Sequence, residues 1–187
     1  MQTQPSLIAV DMDGTFLTDA KTFDTERFSA ILDRLDARGI RFVVASGNTY
    51  AKLQDYMRGF ENRGLIYIAE NGAYLADDSG QLAVHPFREE DVPAIYEVLD
   101  GLKQIGLLVC TTEGIFLPKD RREQIVHVIR NYFEDTGQSI PDTLTLEDFA
   151  GFFFPGAILV DSIEEVRGAP IKFPLLTPPA QTQSINA

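Results

Sequence analysis

Three short apolar runs, Leu7–Asp11, Ile40–Ala45 and Leu65–Ala69, each end in a polar cluster, and a helical pattern separates each run from the next. The clusters are Asp11-Met12-Asp13-Gly14-Thr15, Ser46-Gly47-Asn48 and Glu70-Asn71-Gly72. Apolar runs without alternation predict strands buried on both faces. Between the first two, Asp24 and Thr25 offer an N-cap, Phe28, Ile31, Leu32 and Leu35 recur at helical spacing, and Gly39 ends the pattern. Between the second and third, Tyr50, Leu53, Met57 and Phe60 share one helical face. Strand and helix alternating with short connections predict an α/β fold with parallel strands and right-handed crossovers. In such a sheet the carboxyl ends of the strands lie along one edge, where ligands bind. Asp11, Ser46 and Glu70-Asn71 are therefore expected to be neighbours in space.

The pattern changes after Asn71. Tyr74–Leu75 and Leu82–Val84, joined through Asp77-Asp78-Ser79-Gly80, read as a hairpin. A helix is expected from about Glu89 to Gln104, opened by the acidic run Arg88-Glu89-Glu90-Asp91, with Val92, Ile95, Leu99 and Leu102 on one face. Leu107–Thr111 and Ile115–Leu117 suggest a second hairpin, and Arg121–Thr136 a further helix carrying Ile125, Ile129 and Phe133. Phe152-Phe153-Phe154 and Ala157–Val160 are apolar enough for strands, and the chain closes on a polar stretch, Gln181 to Ala187, expected to fray. The expected division is residues 1–81 as one α/β unit and 82–187 as a smaller α+β unit.

Composition removes several classes of function. The chain has 187 residues, 44% hydrophobic and 24% charged, which is globular rather than disordered. A formal charge of −12 argues against a nucleic-acid surface, which needs Lys and Arg against phosphates. It leaves an anionic small ligand open, because one bound metal ion reverses the local sign. The single cysteine, Cys110, fits a reducing compartment and reads as a small core residue. The first residues carry no basic segment or long apolar run, and the greasiest stretch, Phe152 to Val160, is broken by Pro155 and Gly156. The expectation is a soluble cytoplasmic protein with no membrane partner.

Chemistry concentrates in the first cluster. Alternation along a strand puts Asp11 and Asp13 on one side and Met12 on the other. Two close carboxylates need a cation or a shared proton. A carboxylate can attack phosphorus to form an acyl phosphate, and a hard cation such as Mg²⁺ then offsets the repulsion between two anions. The second acid can protonate the leaving oxygen and later take a proton from water. A calcium loop is excluded, because its glycine and glutamate positions hold Phe16 and Thr22. Ser46-Gly47-Asn48 offers a hydroxyl, an unhindered N–H and a helix start, an anion-binding arrangement that also serves as an ordinary cap. Glu70-Asn71-Gly72 reads either as a turn or as a polar support at the same edge. His85 and His127 have no partners at ligand spacing, and His127 lies off the apolar face of its helix.

These residues resemble the haloacid dehalogenase superfamily, in particular its Cof-type sugar-phosphate phosphatases. The matching segments are Val10-Asp11-Met12-Asp13-Gly14-Thr15-Phe16-Leu17, Val43-Val44-Ala45-Ser46-Gly47-Asn48 and Ala69-Glu70-Asn71-Gly72-Ala73. The resemblance implies a parallel Rossmann-like core with an α+β cap inserted after the third strand. It implies Asp11 as nucleophile and Mg²⁺ ligand, and Asp13 as general acid/base that lends its backbone carbonyl to the metal. Ser46 and the Gly47 N–H would bind the phosphoryl group, with Asn48 and Asn71 lining the site. The substrate implied is a small phosphorylated metabolite such as a sugar phosphate, hydrolysed through a phospho-aspartate.

The family's two later motifs, a lysine at the phosphate and an acidic cluster of the form Gly-Asp-x-x-Asn-Asp, have no match here; Lys172 in Ile171-Lys172-Phe173 reads as part of a cap strand. The chain is therefore expected to be a C-terminally truncated member with one sheet edge exposed, open to self-association. Two other readings stand beside the phosphatase: an inactive fragment or phosphate- or partner-binding module, and a phospho-acceptor receiver domain. The size of the second half counts against the receiver.

Overall fold

The computed structural model describes residues 5–135, 145, 147–148, 150, 154 and 156–177. The chain divides into two compact units, Met1–His85 and Pro86–Ala187.

The first unit is a five-stranded sheet in the order β1-β2-β3-β4-β5. Strands β1 (Leu7–Asp11), β2 (Arg41–Ala45) and β3 (Ile66–Ala69) are parallel, joined through helices α1 (Thr25–Asp36) and α2 (Tyr50–Tyr56). The hairpin of β4 (Tyr74–Asp77) and β5 (Gly80–Val84) continues the sheet antiparallel. An 81/82 boundary would cut β5; the division falls after His85 because β5 completes this hairpin. Helix α1 starts where the Asp24 carboxylate accepts from the Arg27 N–H (2.9 Å), and the chain leaves it through Gly39 at φ +64°. Its inward face buries Phe28 and Leu32 against Phe42, Val44, Leu53, Met57 and Phe60. Phe28 sits at the centre of an aromatic group, its ring 4.9 to 5.4 Å from those of Phe16, Phe23, Phe42 and Phe60.

One expectation is overturned. Leu7–Asp11 is not buried on both faces: Leu7 is 52% and Ile8 37% exposed. The reason is topological: among the described residues β1 is the edge strand and pairs with β2 alone. The Arg41 N–H donates to the Ser6 carbonyl (3.0 Å), which fixes the phase of the parallel ladder. The backbone groups of Ser6, Ile8 and Val10 turn toward β2, and those of Leu7, Ala9 and Asp11 turn outward. Among the described residues no strand meets them.

The second unit holds a four-stranded sheet, β10-β7-β8-β9, and a two-stranded one, β11-β6. Its strands are β6 (Gly106–Leu107), β7 (Val109–Thr111), β8 (Gly114–Pro118), β9 (Ile158–Val160), β10 (Pro170–Lys172) and β11 (Leu175–Leu176), with helices α3 (Val92–Gly101) and α4 (Arg122–Asp135). The run Leu107–Thr111, expected as one strand, is shared between the two sheets. Helix α3 starts later than expected: Arg88 to Asp91 form a turn before it, with the Arg88 guanidinium on Asp91 (2.8 Å), and Pro93 occupies its first turn. Alternation on β8 separates two cores. Phe116 packs with Leu99 of α3, whereas Leu117 packs with Ile125 and Ile129 of α4. His127 is exposed, Cys110 is buried, and Lys172 lies on β10 beside β7. Phe152, Phe153, and the closing stretch from Gln181 lie outside the described residues.

Arg121 is the largest fully buried side chain of this unit, 1% exposed. Its guanidinium donates to the Leu102 (2.7 Å) and Leu99 (2.9 Å) carbonyls at the end of α3, which also accept the backbone N–H groups of Ile105 and Leu102 (both 3.1 Å). Asp120 (3.6 Å) and Asp100 (3.9 Å) offset its charge. Replacing Arg121 with Ala is expected to destabilise this unit by about 2–5 kcal/mol, because it removes two charge-assisted hydrogen bonds and leaves a cavity. Arg121→Lys recovers only part, since one ammonium cannot reproduce the fork. Urea unfolding of the two variants beside the wild type checks both.

Candidate functional site

The parallel register brings the candidate residues together. Asp11 pairs with Ala45, and Ala45 with Ile68, so the segments that follow these strands leave the sheet side by side. Each then turns in its own way.

After Asp11 the chain makes one wide turn, Met12 to Phe16, closed by the Leu17 N–H on the Met12 carbonyl (2.9 Å). Gly14 supplies the reversal at φ +73°, a conformation L side chains rarely adopt. Met12 is fully buried, whereas Asp11 and Asp13 are exposed. The alternation expected of a strand thus persists one step past the strand itself.

After β2, the Ser46 hydroxyl oxygen accepts from the Asn48 backbone N–H and from the Asn48 side-chain amide, both at 3.1 Å. Those two bonds use its lone pairs and leave its own proton to donate. The same Asn48 amide nitrogen lies 2.7 Å from Asp13 Oδ2 and donates to it. Helix α2 starts separately, capped by the Thr49 hydroxyl on the Lys52 N–H (3.2 Å). Ser46-Gly47-Asn48 therefore does not cap α2; it forms a turn in front of the cap.

After β3, Glu70 and Asn71 both adopt left-handed backbone, at φ +52° and +59°. The Glu70 N–H donates to the Asn48 carbonyl (3.0 Å) and the Asn71 N–H to the Ser46 carbonyl (3.3 Å), which fastens this turn to the one beside it. A Cβ on Gly47 would fall 2.5 Å from Asn71 Oδ1, so a larger residue there would push the Asn71 side chain aside. Glu70 is buried; Asn71 faces solvent.

Of the residues named from the sequence, Asp13, Ser46, Asn48, Gly47 and Asn71 are joined in this one network. Asp11 stands at its edge, touched by the Thr15 hydroxyl at a long 3.5 Å. Lys21 belongs here and was missed. Its ammonium lies 2.6 Å from Asp13 Oδ1, so each oxygen of Asp13 accepts one hydrogen bond. Eight positions separate the two residues, with no helical or strand period between them; the only local signal was a lone lysine in a polar turn. The Lys21 ammonium foremost holds the Asp13 carboxyl below the usual carboxylate range; burial opposes it, and the Asn48 amide and the charge of Lys52 add to the lowering.

Among the described residues no three His, Cys, Asp or Glu side chains are grouped to share a metal ion. The oxygen atoms of Asp11 and Asp13 still fit a hard cation that keeps most of its waters and takes one or two carboxylates. No described helix is long and apolar enough to cross a membrane.

Because a carboxylate with a lowered folded pKa stabilises the fold above its unfolded pKa, the Lys21–Asp13 contribution is expected at neutral pH and lost as pH falls through the folded pKa of Asp13. Wild type and Lys21→Gln should therefore differ slightly in urea midpoint at pH 7 and converge near pH ~2.

Comparison with known proteins places this geometry. The haloacid dehalogenase-like hydrolase family matches residues 8–155. The chain is 32% identical over 157 residues to the 5-amino-6-(5-phospho-D-ribitylamino)uracil phosphatase YbjI of Escherichia coli, covering 84% of this chain and 56% of that protein. The crystal structure of SMU.1108c from Streptococcus mutans superposes with a TM-score of 0.73 at 28% identity, over 97% of this chain and 60% of that one. A haloacid dehalogenase-like hydrolase of B. subtilis shares the fold, with a TM-score of 0.61 at 20% identity, over 91% and 59%. The chain thus spans little more than half the length of these three relatives. With a family match across most of its length and a parallel-stranded core to go with it, the chain belongs to the haloacid dehalogenase-like hydrolases.

Proposed function

We propose that this chain carries the nucleophile half of a Mg²⁺-dependent phosphatase of small phosphorylated metabolites, sugar phosphates among them. The observation that supports it is the arrangement of Asp13, its two oxygens held by Lys21 and Asn48, one turn beyond the strand that presents Asp11. Asp11 would attack the phosphorus of a monoester, forming an acyl phosphate as the bond to the ester oxygen breaks. A proton brought in on the phosphate monoanion would pass through Asp13 to that oxygen, and Asp13 would then take one from the water that cleaves the acyl phosphate, returning Asp11 and releasing inorganic phosphate. The Ser46 hydroxyl and the Gly47 N–H would donate to the phosphoryl oxygens, and Asn48 and Asn71 would line the opening. Asp11 through its carboxylate and Asp13 through its carbonyl would hold Mg²⁺, which when bound offsets the charge of two anions meeting. The second unit would act as the Cof-type cap that selects the substrate, and a single buried cysteine supports a cytoplasmic setting.

The test is phosphate release from p-nitrophenyl phosphate and a panel of sugar phosphates, with Mg²⁺ and after EDTA. Turnover should need the metal and fall by on the order of a thousandfold or more in Asp11→Asn. Metal-dependent turnover that survives Asp11→Asn removes Asp11 as nucleophile. No turnover in the wild type favours the alternative, an inactive phosphate- or partner-binding module.

The outward backbone groups of β1, with Leu7 and Ile8 exposed above them, support self-association through this edge. Leu7→Pro removes an outward N–H and spares the ladder to β2. It should lower the average mass seen by light scattering at high concentration; an unchanged mass places any association elsewhere.

A further inference from the structure

Lys21 is held at the site by more than a flexible side chain. Its backbone sits at φ +57°, a region that disfavours a side-chain-bearing residue and that a turn with no further duty would fill with Gly or Asn. The loop around it is closed at both ends. The Thr18 N–H donates to the Thr22 carbonyl (2.9 Å), the Lys21 N–H to the Thr18 carbonyl (2.9 Å), and the two threonine hydroxyls lie 3.0 Å apart. The four-carbon stem projects from this loop to Asp13, and the side chain stays 56% exposed.

An ammonium in that position has two uses. It balances Asp13 while the site holds no anion, and it lies beside the place an anion would enter. Asp11, Asp13 and a net charge of −12 all oppose the approach of a phosphate, so a cation at the entrance matters for binding. Lys52, the other cation acting on Asp13, is engaged elsewhere, its ammonium 5.0 Å over the ring of Tyr56. Lys21 alone of the two touches a site carboxylate.

We infer that Lys21 is a substrate-contacting residue whose ammonium exchanges Asp13 Oδ1 for an oxygen of the incoming phosphoryl group. The inference rests on the phosphatase reading above and adds to it a binding cation from the turn after Asp13. The exchange also frees Asp13 Oδ1, the oxygen that an acid/base must have open, so binding and readiness for proton transfer are one event. Exposure of the side chain lets the ammonium move with little desolvation.

The experiment is calorimetric titration of the whole chain with inorganic phosphate in the presence of Mg²⁺, using wild type, Lys21→Gln, Lys21→Arg, Lys52→Gln and Ser46→Ala. Losing a charge-assisted contact to an anion should weaken phosphate binding about tenfold or more in Lys21→Gln. Lys21→Arg should stay within about threefold of wild type, because the charge and reach are kept, and so should Lys52→Gln, which removes the same charge at a distance. Where turnover is measurable, the loss in Lys21→Gln should fall on KM rather than kcat. If Lys21→Gln binds as wild type while Ser46→Ala does not, the site stands and Lys21 has no part in it. If Lys21→Gln lowers kcat with KM unchanged, Lys21 only positions Asp13 and the contact is refuted. If wild type binds no phosphate, the phosphatase reading and this inference fall together.

Discussion

The parallel pairing of Leu7–Asp11 with Arg41–Ala45 governs most of what this chain can do. Its register sets Asp11 opposite Ala45, and Ala45 is the last residue before Ser46. A slip of one residue would turn Met12 toward solvent and send Asp11 and Asp13 to the wrong side. The register is secured by β2, whose Phe42, Val43 and Val44 are all buried, and by the aromatic group around Phe28 that packs α1 on the sheet.

On that frame the site is built from three turns rather than from three strands. The first and third turns need unusual backbone, Gly14 in the first and left-handed Glu70 and Asn71 in the third, while Gly47 in the second lies against the Asn71 side chain. The backbone bonds from Glu70 and Asn71 to the carbonyls of Asn48 and Ser46 make the second and third turns one rigid piece. The first is joined to them by the Asn48 side chain on Asp13. Exposed side-chain contacts of that kind are individually weak, which suits a place where a ligand must displace a partner.

The sequence led to most of this edge because its signals are local. Strand ends, helix caps and the polar clusters behind the strands are read from spacing alone, and Asp11, Asp13, Ser46, Gly47, Asn48 and Asn71 all follow from position. Lys21 could not be read that way. Its partner lies eight residues back across a turn and a loop whose closure depends on Thr18 and Thr22 meeting. Arg121 was hidden for a similar reason, since it sits at the start of a helix where an arginine reads as solvent-facing. Its acceptors are the last carbonyls of a different helix, 19 and 22 residues away.

The sequence by itself determined the alternation of strand and helix, the polar ends of three strands, and the family to which they are similar, because each is a pattern within a few residues of chain. Only the tertiary structure decided that β1 is an exposed edge, that β5 belongs to the first unit, that Gly47 lies against the Asn71 side chain, and that Asp13 is held between Lys21 and Asn48. An apolar run has the same composition whether one neighbour or two lie beside it. Which carboxylate meets which cation is likewise fixed by how distant turns come together, and no local period encodes that.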